Sequence, residues 1–135
     1  MSNLSPELYY TALTAGLTAV LWVPVVLERI GHIGLMGAMK NPARDYAPRA
    51  EWAFRLAAAH RNAVENLAVF AALALVVQIA GVGNALTAAA CMVFFWARLV
   101  HVVVYALGLP VLRTLAFAAG FACQAVLFLH LLGIV

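Results

Sequence analysis

Four long apolar runs, parted by short breaks, constrain this chain more than any other feature. A helix needs about 20 mostly apolar residues to cross a bilayer. The first run, Leu8 to Leu27, carries no charge, and Pro24 near its end predicts a kink. The second starts near Trp52 and continues to about Ala80, where Gly81-Val82-Gly83-Asn84 gives a turn signal. A third runs from about Ala85 to Leu107. It ends at Gly108-Leu109-Pro110, with Pro110 placed to open the next helix. The fourth, Thr114 to Val135, is again uncharged. Strands are excluded as the main element, because the runs are too long, rich in Ala and Leu, and lack period-two alternation. The expectation is an all-α membrane protein. Residues 1–135 form one transmembrane domain, a four-transmembrane-helix bundle with helices at about 6–30, 52–80, 85–107 and 111–134 and a loop at about 31–50.

Composition supports the bilayer as solvent. Hydrophobic residues make up 67% of the chain and charged ones only 10%, against about a quarter charged in soluble domains. The net charge of +3 raises the question of nucleic acid. Six of the eight basic residues lie between Arg29 and Arg61, in the first connection and the start of the second helix. That is the positive-inside pattern of a cytoplasmic loop, and no nucleic-acid partner is expected. Loops one and three share a side, so both are expected in the cytoplasm, with the termini outside. The opening MSNLSPELYY lacks a basic leader and carries Glu7, so the first run is expected to stay in the mature protein. Cys91 and Cys123 lie in apolar runs without neighbouring His or acid. They read as core residues, with neither a disulfide framework nor a metal site. Small residues four apart (Ala12 and Gly16, Ala15 and Ala19, Ala116 and Gly120) permit close helix approach, within one bundle or between copies.

The intramembrane polar residues are the functional signal. In the second helix, His60, Arg61, Asn62, Glu65 and Asn66 fall in the cytoplasmic half; in the third, Arg98, His101 and Tyr105 do. Arg113 and Thr114 open the fourth on the same side, leaving the outer half nearly bare apart from Glu7 and His130. Asn62, Glu65 and Asn66 are spaced to share a helix face, Arg61 and Glu65 are spaced to pair, and Arg98, His101 and Tyr105 form a stripe. Arg61, Glu65 and Arg98 facing lipid unpaired would cost about 8–10 kcal/mol together, at about 2.5–3.5 each. They are therefore expected to face inward and pair, or to line a wet cavity. One reading is an ion-pair network, Arg61 or Arg98 with Glu65, locking two helices. The other is a binding site: the arginine excess suits a carboxylate-bearing ligand, Glu65 suits a ligand ammonium, and Arg113 sits where a helix N-terminus already favours an anion. Arg113 also reads as a topology anchor.

The segments AAHRNAVENLAVF (58–70) and ARLVHVVVYALGLPVLRTLAF (97–117) resemble MAPEG, the membrane-associated proteins in eicosanoid and glutathione metabolism. The resemblance extends over nearly the whole chain, includes Asn41-Pro42 in the basic loop, and is closest to the small bacterial members. It implies a homotrimer in the bacterial inner membrane with sites between subunits, open to the cytoplasm, and glutathione as cosubstrate. It implies glutathione contacts at Asn62 and Glu65 on the second helix and at Arg98, His101 and Tyr105 on the third. Arg61 joins this polyanion site, Arg113 matches the arginine that stabilises the glutathione thiolate, and Thr114 falls where some members place a hydroxyl beside it. The chain departs from some members at Ala58, where they carry an arginine that Arg55 is placed to replace, and at Phe117, where they carry a tyrosine.

The expected function is a glutathione-dependent membrane enzyme, of transferase or peroxidase type, attacking a lipophilic small molecule partitioned in the bilayer. The alternative is a non-catalytic membrane scaffold or ligand-binding protein of the same fold. A channel fits poorly, because its path needs polar lining through both halves.

Overall fold

The computed structural model describes residues 4–135; Met1–Asn3, the first residues of the stretch read as retained, lie outside them. The described chain is helical, with elements α1 (Pro6–Val20), α2 (Trp22–Ala38), α3 (Glu51–Ala80), α4 (Ala85–Leu107) and α5 (Pro110–Leu131). Four spans are long and apolar enough to cross a membrane, with α1 and α2 together forming the first.

The break at Leu21 has a local cause. Proline has no N–H to give the carbonyl four residues earlier, and its ring crowds that carbonyl. Pro24 therefore frees the Val20 carbonyl, and the Leu21 N–H turns to the Thr18 oxygen at 3.4 Å. Past the kink, α2 continues through Glu28, Arg29 and His32 to Ala38, interrupted at Gly34 (φ 73°, ψ 165°). The first connection is therefore shorter than hydropathy suggests, because these side chains interrupt an apolar run without interrupting a helix.

The other ends carry the expected punctuation. Gly81 and Gly108 adopt left-handed conformations (φ 67° and 76°) where α3 and α4 stop, a conformation glycine takes without a Cβ penalty. Asn84 caps α4, accepting from Leu86 and Thr87 N–H, while the Thr87 hydroxyl accepts from Asn84 N–H. Pro110 opens α5.

α4 packs most extensively against α5 and also touches α3 and α1. At one end of the bundle the core is apolar: Phe70 and Phe94 stack with centroids 3.8 Å apart, surrounded by Ala74, Val77, Cys91, Cys123 and Leu127. Both cysteines are buried and free. Toward the other end a smaller cluster of Leu21, Leu56, Ala63 and Val102 lies level with the polar residues.

The 39–50 connection is tied down by one carboxylate. Glu28 Oε1 accepts from Arg49 N–H (3.0 Å) and Ala50 N–H (2.9 Å), the residues leading into α3, and lies 3.2 Å from His32 Nε2. Arg29 stacks over the Tyr46 ring at 4.4 Å and donates to the Lys40 carbonyl. Arg55 binds the Ala106 carbonyl at 3.0 Å, joining the start of α3 to the end of α4.

Candidate functional site

Arg98 is the largest fully buried side chain among the described residues, with 2% of its surface exposed. Gly120 packs against it: a Cβ there would lie 3.6 Å from Arg98 Cδ, an ordinary contact distance. Arg98 Nη2 donates to Asn62 Oδ1 at 2.7 Å, while its Nε and Nη1 have no partner among the described residues. Buried polar groups are almost always bonded, and an unbonded charged one is costly. His101, one turn further along α4, is equally buried and its Nδ1 is also unpartnered.

Asn62 and His101 line a hollow of about 250 Å³ with Tyr105, Arg113, Thr114 and Phe117, and Arg98 is tied to its wall through Asn62. Tyr105 packs edge-on to His101 with centroids 5.5 Å apart, and the Arg113 guanidinium lies 4.6 Å from the Tyr105 ring centroid. Arg113 falls in the first turn of α5, where unbonded N–H groups and the helix dipole add to its positive field. The hollow is thus cationic on one wall, amide on another and aromatic between. An apolar groove of about 310 Å³, lined by Pro110, Val111, Thr114 and Leu115, adjoins it and shares Thr114.

Of the residues singled out in the sequence, Asn62, Arg98, His101, Tyr105, Arg113 and Thr114 are brought together here. Arg61 and Glu65 are not: both are exposed on the outer surface of α3. The expected ion pairs of Glu65 with Arg61 or Arg98 do not form. Among the described residues, Glu51 pairs with Arg55, and Glu28 lies 3.2 Å from His32 Nε2. The physical reason is rotational. Residues three apart differ by about 60° around a helix and residues four apart by about 40°. With Asn62 turned toward α4, Asn66 stays near the interior and Glu65 swings outward.

Sequence reasoning missed Gln124. It is buried on α5 and its Nε2 donates to the Asn66 carbonyl at 3.1 Å, extending the polar layer to a third helix. Its signal was available, as the one amide in the uncharged last run.

A family model of the MAPEG family matches residues 8–133. The chain belongs to the MAPEG family, whose members include glutathione-dependent transferases and peroxidases as well as non-catalytic proteins. No curated protein and no solved structure matches the chain.

Proposed function

We propose that this protein is a glutathione-dependent membrane enzyme of transferase or peroxidase type. The observation that carries the reading is the hollow that Arg113, Asn62, His101 and Tyr105 line together, with the Arg98 guanidinium buried outside its wall, bonded once to Asn62 and otherwise unpartnered among the described residues. Glutathione is a peptide with two carboxylates, an ammonium and a thiol. Arginine forks suit the carboxylates, Asn62 suits the peptide groups, and Arg113 is the cation at the mouth of a helix dipole where a thiolate is favoured. A thiol of ordinary pKa near 8.5 is mostly protonated at neutral pH. Stabilising its thiolate releases the proton to solvent and leaves a sulfur nucleophile for a lipophilic electrophile or hydroperoxide. The adjoining apolar groove suits such a partner.

Homotrimerisation belongs to the same reading. Arg61 and Glu65 are exposed on one chain at a depth where each would cost about 2.5–3.5 kcal/mol against lipid. A second copy covering this face of α3 would remove that cost and bring Glu65, with its carboxylate for the ligand ammonium, to a site between subunits. The arginine-rich end is placed in the cytoplasm by the positive-inside rule, in a bacterial inner membrane.

The test is the ultraviolet thiolate absorbance of glutathione titrated into the purified protein at neutral pH. A difference signal is expected with the wild type and is expected to vanish in Arg113→Ala. Normal thiolate formation in Arg113→Ala would sink the mechanism. Absence of both signal and thermal shift would favour a non-catalytic assembly in which Arg98 and Asn62 only lock helices.

A further inference from the structure

At the end of the bundle remote from Arg113, a second hollow of about 480 Å³ is lined by Ser5, Glu7, Gln78, Gly83 and Asn84 among others. Glu7 dominates it. Its side chain comes from the first turn of α1 and reaches the start of α4, where the Thr87 hydroxyl donates to Oε1 at 2.6 Å. Only 4% of Glu7 is exposed. No cation pairs with it among the described residues, and its second oxygen makes no hydrogen bond there.

Two helix N-termini interact favourably with a carboxylate, and they explain why an acid is tolerated. They do not explain its burial beside a cavity far larger than one carboxylate needs. A buried charge calls for a counter-charge.

The neighbouring polar groups limit what that counter-charge is. Gln78 Oε1 already accepts from the Ser5 hydroxyl, and Asn84 Oδ1 accepts from two backbone N–H groups. Among the described residues, Glu7 is the lone carboxylate lining the hollow, and no metal-ligating cluster exists. A single carboxylate with one free oxygen, walled by Pro6, Val77, Ala85 and Ala88, suits one N–H-donating head on a short carbon chain.

We propose that this hollow binds a primary ammonium group, with Glu7 as its counter-ion. Two sources carry that chemistry at a membrane surface: an aminophospholipid headgroup and a free small amine. The site is separate from the Arg113 hollow and of opposite charge.

The experiment measures the Tm of the intact protein in phosphatidylglycerol nanodiscs. The probes are phosphatidylethanolamine mixed into the discs and, separately, ethanolamine added to the buffer. A specific ligand raises Tm in a saturable way. The expected result is a rise with at least one probe in the wild type that is lost in Glu7→Gln, which keeps an oxygen to accept from Thr87. A rise with phosphatidylethanolamine alone assigns the site to lipid; a rise with ethanolamine assigns it to soluble amines. Should Glu7→Gln fail to fold, Ala85→Trp, which fills the hollow and leaves Glu7 intact, is expected to lose the rise as well. No rise with either probe, or equal rises in wild type and the folded variants, would overturn the proposal.

Discussion

Arg98 Nη2 and Asn62 Oδ1 meet at 2.7 Å across the α3–α4 interface, and this bond is the only one Arg98 makes through its side chain among the described residues. Removing the acceptor leaves a buried guanidinium wholly unbonded, which costs about 1–3 kcal/mol or more for a charged group. Asn62→Ala is expected to lower unfolding stability by at least that amount. In a double-mutant cycle with Arg98→Met, the coupling is expected to reach about 0.5–3 kcal/mol. Additive losses would show that the bond contributes nothing.

Gly120 offers a graded test of how closely Arg98 is packed. A Cβ there would meet Arg98 Cδ at 3.6 Å and Phe94 at 3.7 Å, ordinary contact distances. Gly120→Ala is therefore expected to be neutral or to gain up to about 1 kcal/mol from helix propensity. Gly120→Leu would push into Arg98 and cost about 1–3 kcal/mol. Chemical denaturation of the two variants side by side reads the difference, and equal stabilities would contradict the packing.

Glu28 gives a prediction for the loop. Its carboxylate accepts from two backbone N–H groups that lead into α3. Glu28→Ala is expected to cost about 1–2 kcal/mol, the scale of losing a helix cap. It should also speed proteolysis within residues 39–50 while leaving the spans intact. Cleavage at an unchanged rate would mean the connection is held by Arg29 and Tyr46 instead.

How far the sequence made this legible differs between levels. The four spans were readable because nothing else explains apolar runs that long. The breaks at Gly81 and Gly108 were readable because a left-handed residue ends each helix. The extension of α2 to Ala38 was hidden, since a hydropathy criterion stops at Glu28 whereas a helix does not. In the site, spacing grouped Asn62, Glu65 and Asn66 but carried no information on which of them points inward. Spacing and the cost of charge in lipid left an Arg–Glu pair as one reading, and the structure instead gives Arg98 an amide partner. In the sequence Glu7 stands out as an exception to the bare outer half. Its burial against Thr87 needed the fold, because the two are 80 residues apart in sequence.

A fourth prediction concerns Gly83. A Cβ there would stand 3.1 Å from Glu7 Oε1, tighter than side chains ordinarily approach. Gly83→Ala is expected to push the carboxylate off Thr87 and lower stability by about 0.5–1.5 kcal/mol, the net worth of one hydrogen bond. In the Glu7→Gln background, where the oxygen still sits in the way but carries no charge, the loss is expected to shrink. Thermal unfolding of the four proteins gives the answer, and an equal loss in both backgrounds would assign it to the turn itself.

Thr114 borders both the cationic hollow and the apolar groove beside it. On the proposed reading, a substrate arriving through that groove would be counted per lipid molecule, in two dimensions, and its aqueous concentration would cease to be the controlling variable. Diluting the bilayer with inert lipid at constant total substrate would then slow turnover with no inhibitor present. A saturation constant for this protein would have meaning only as a mole fraction in the membrane.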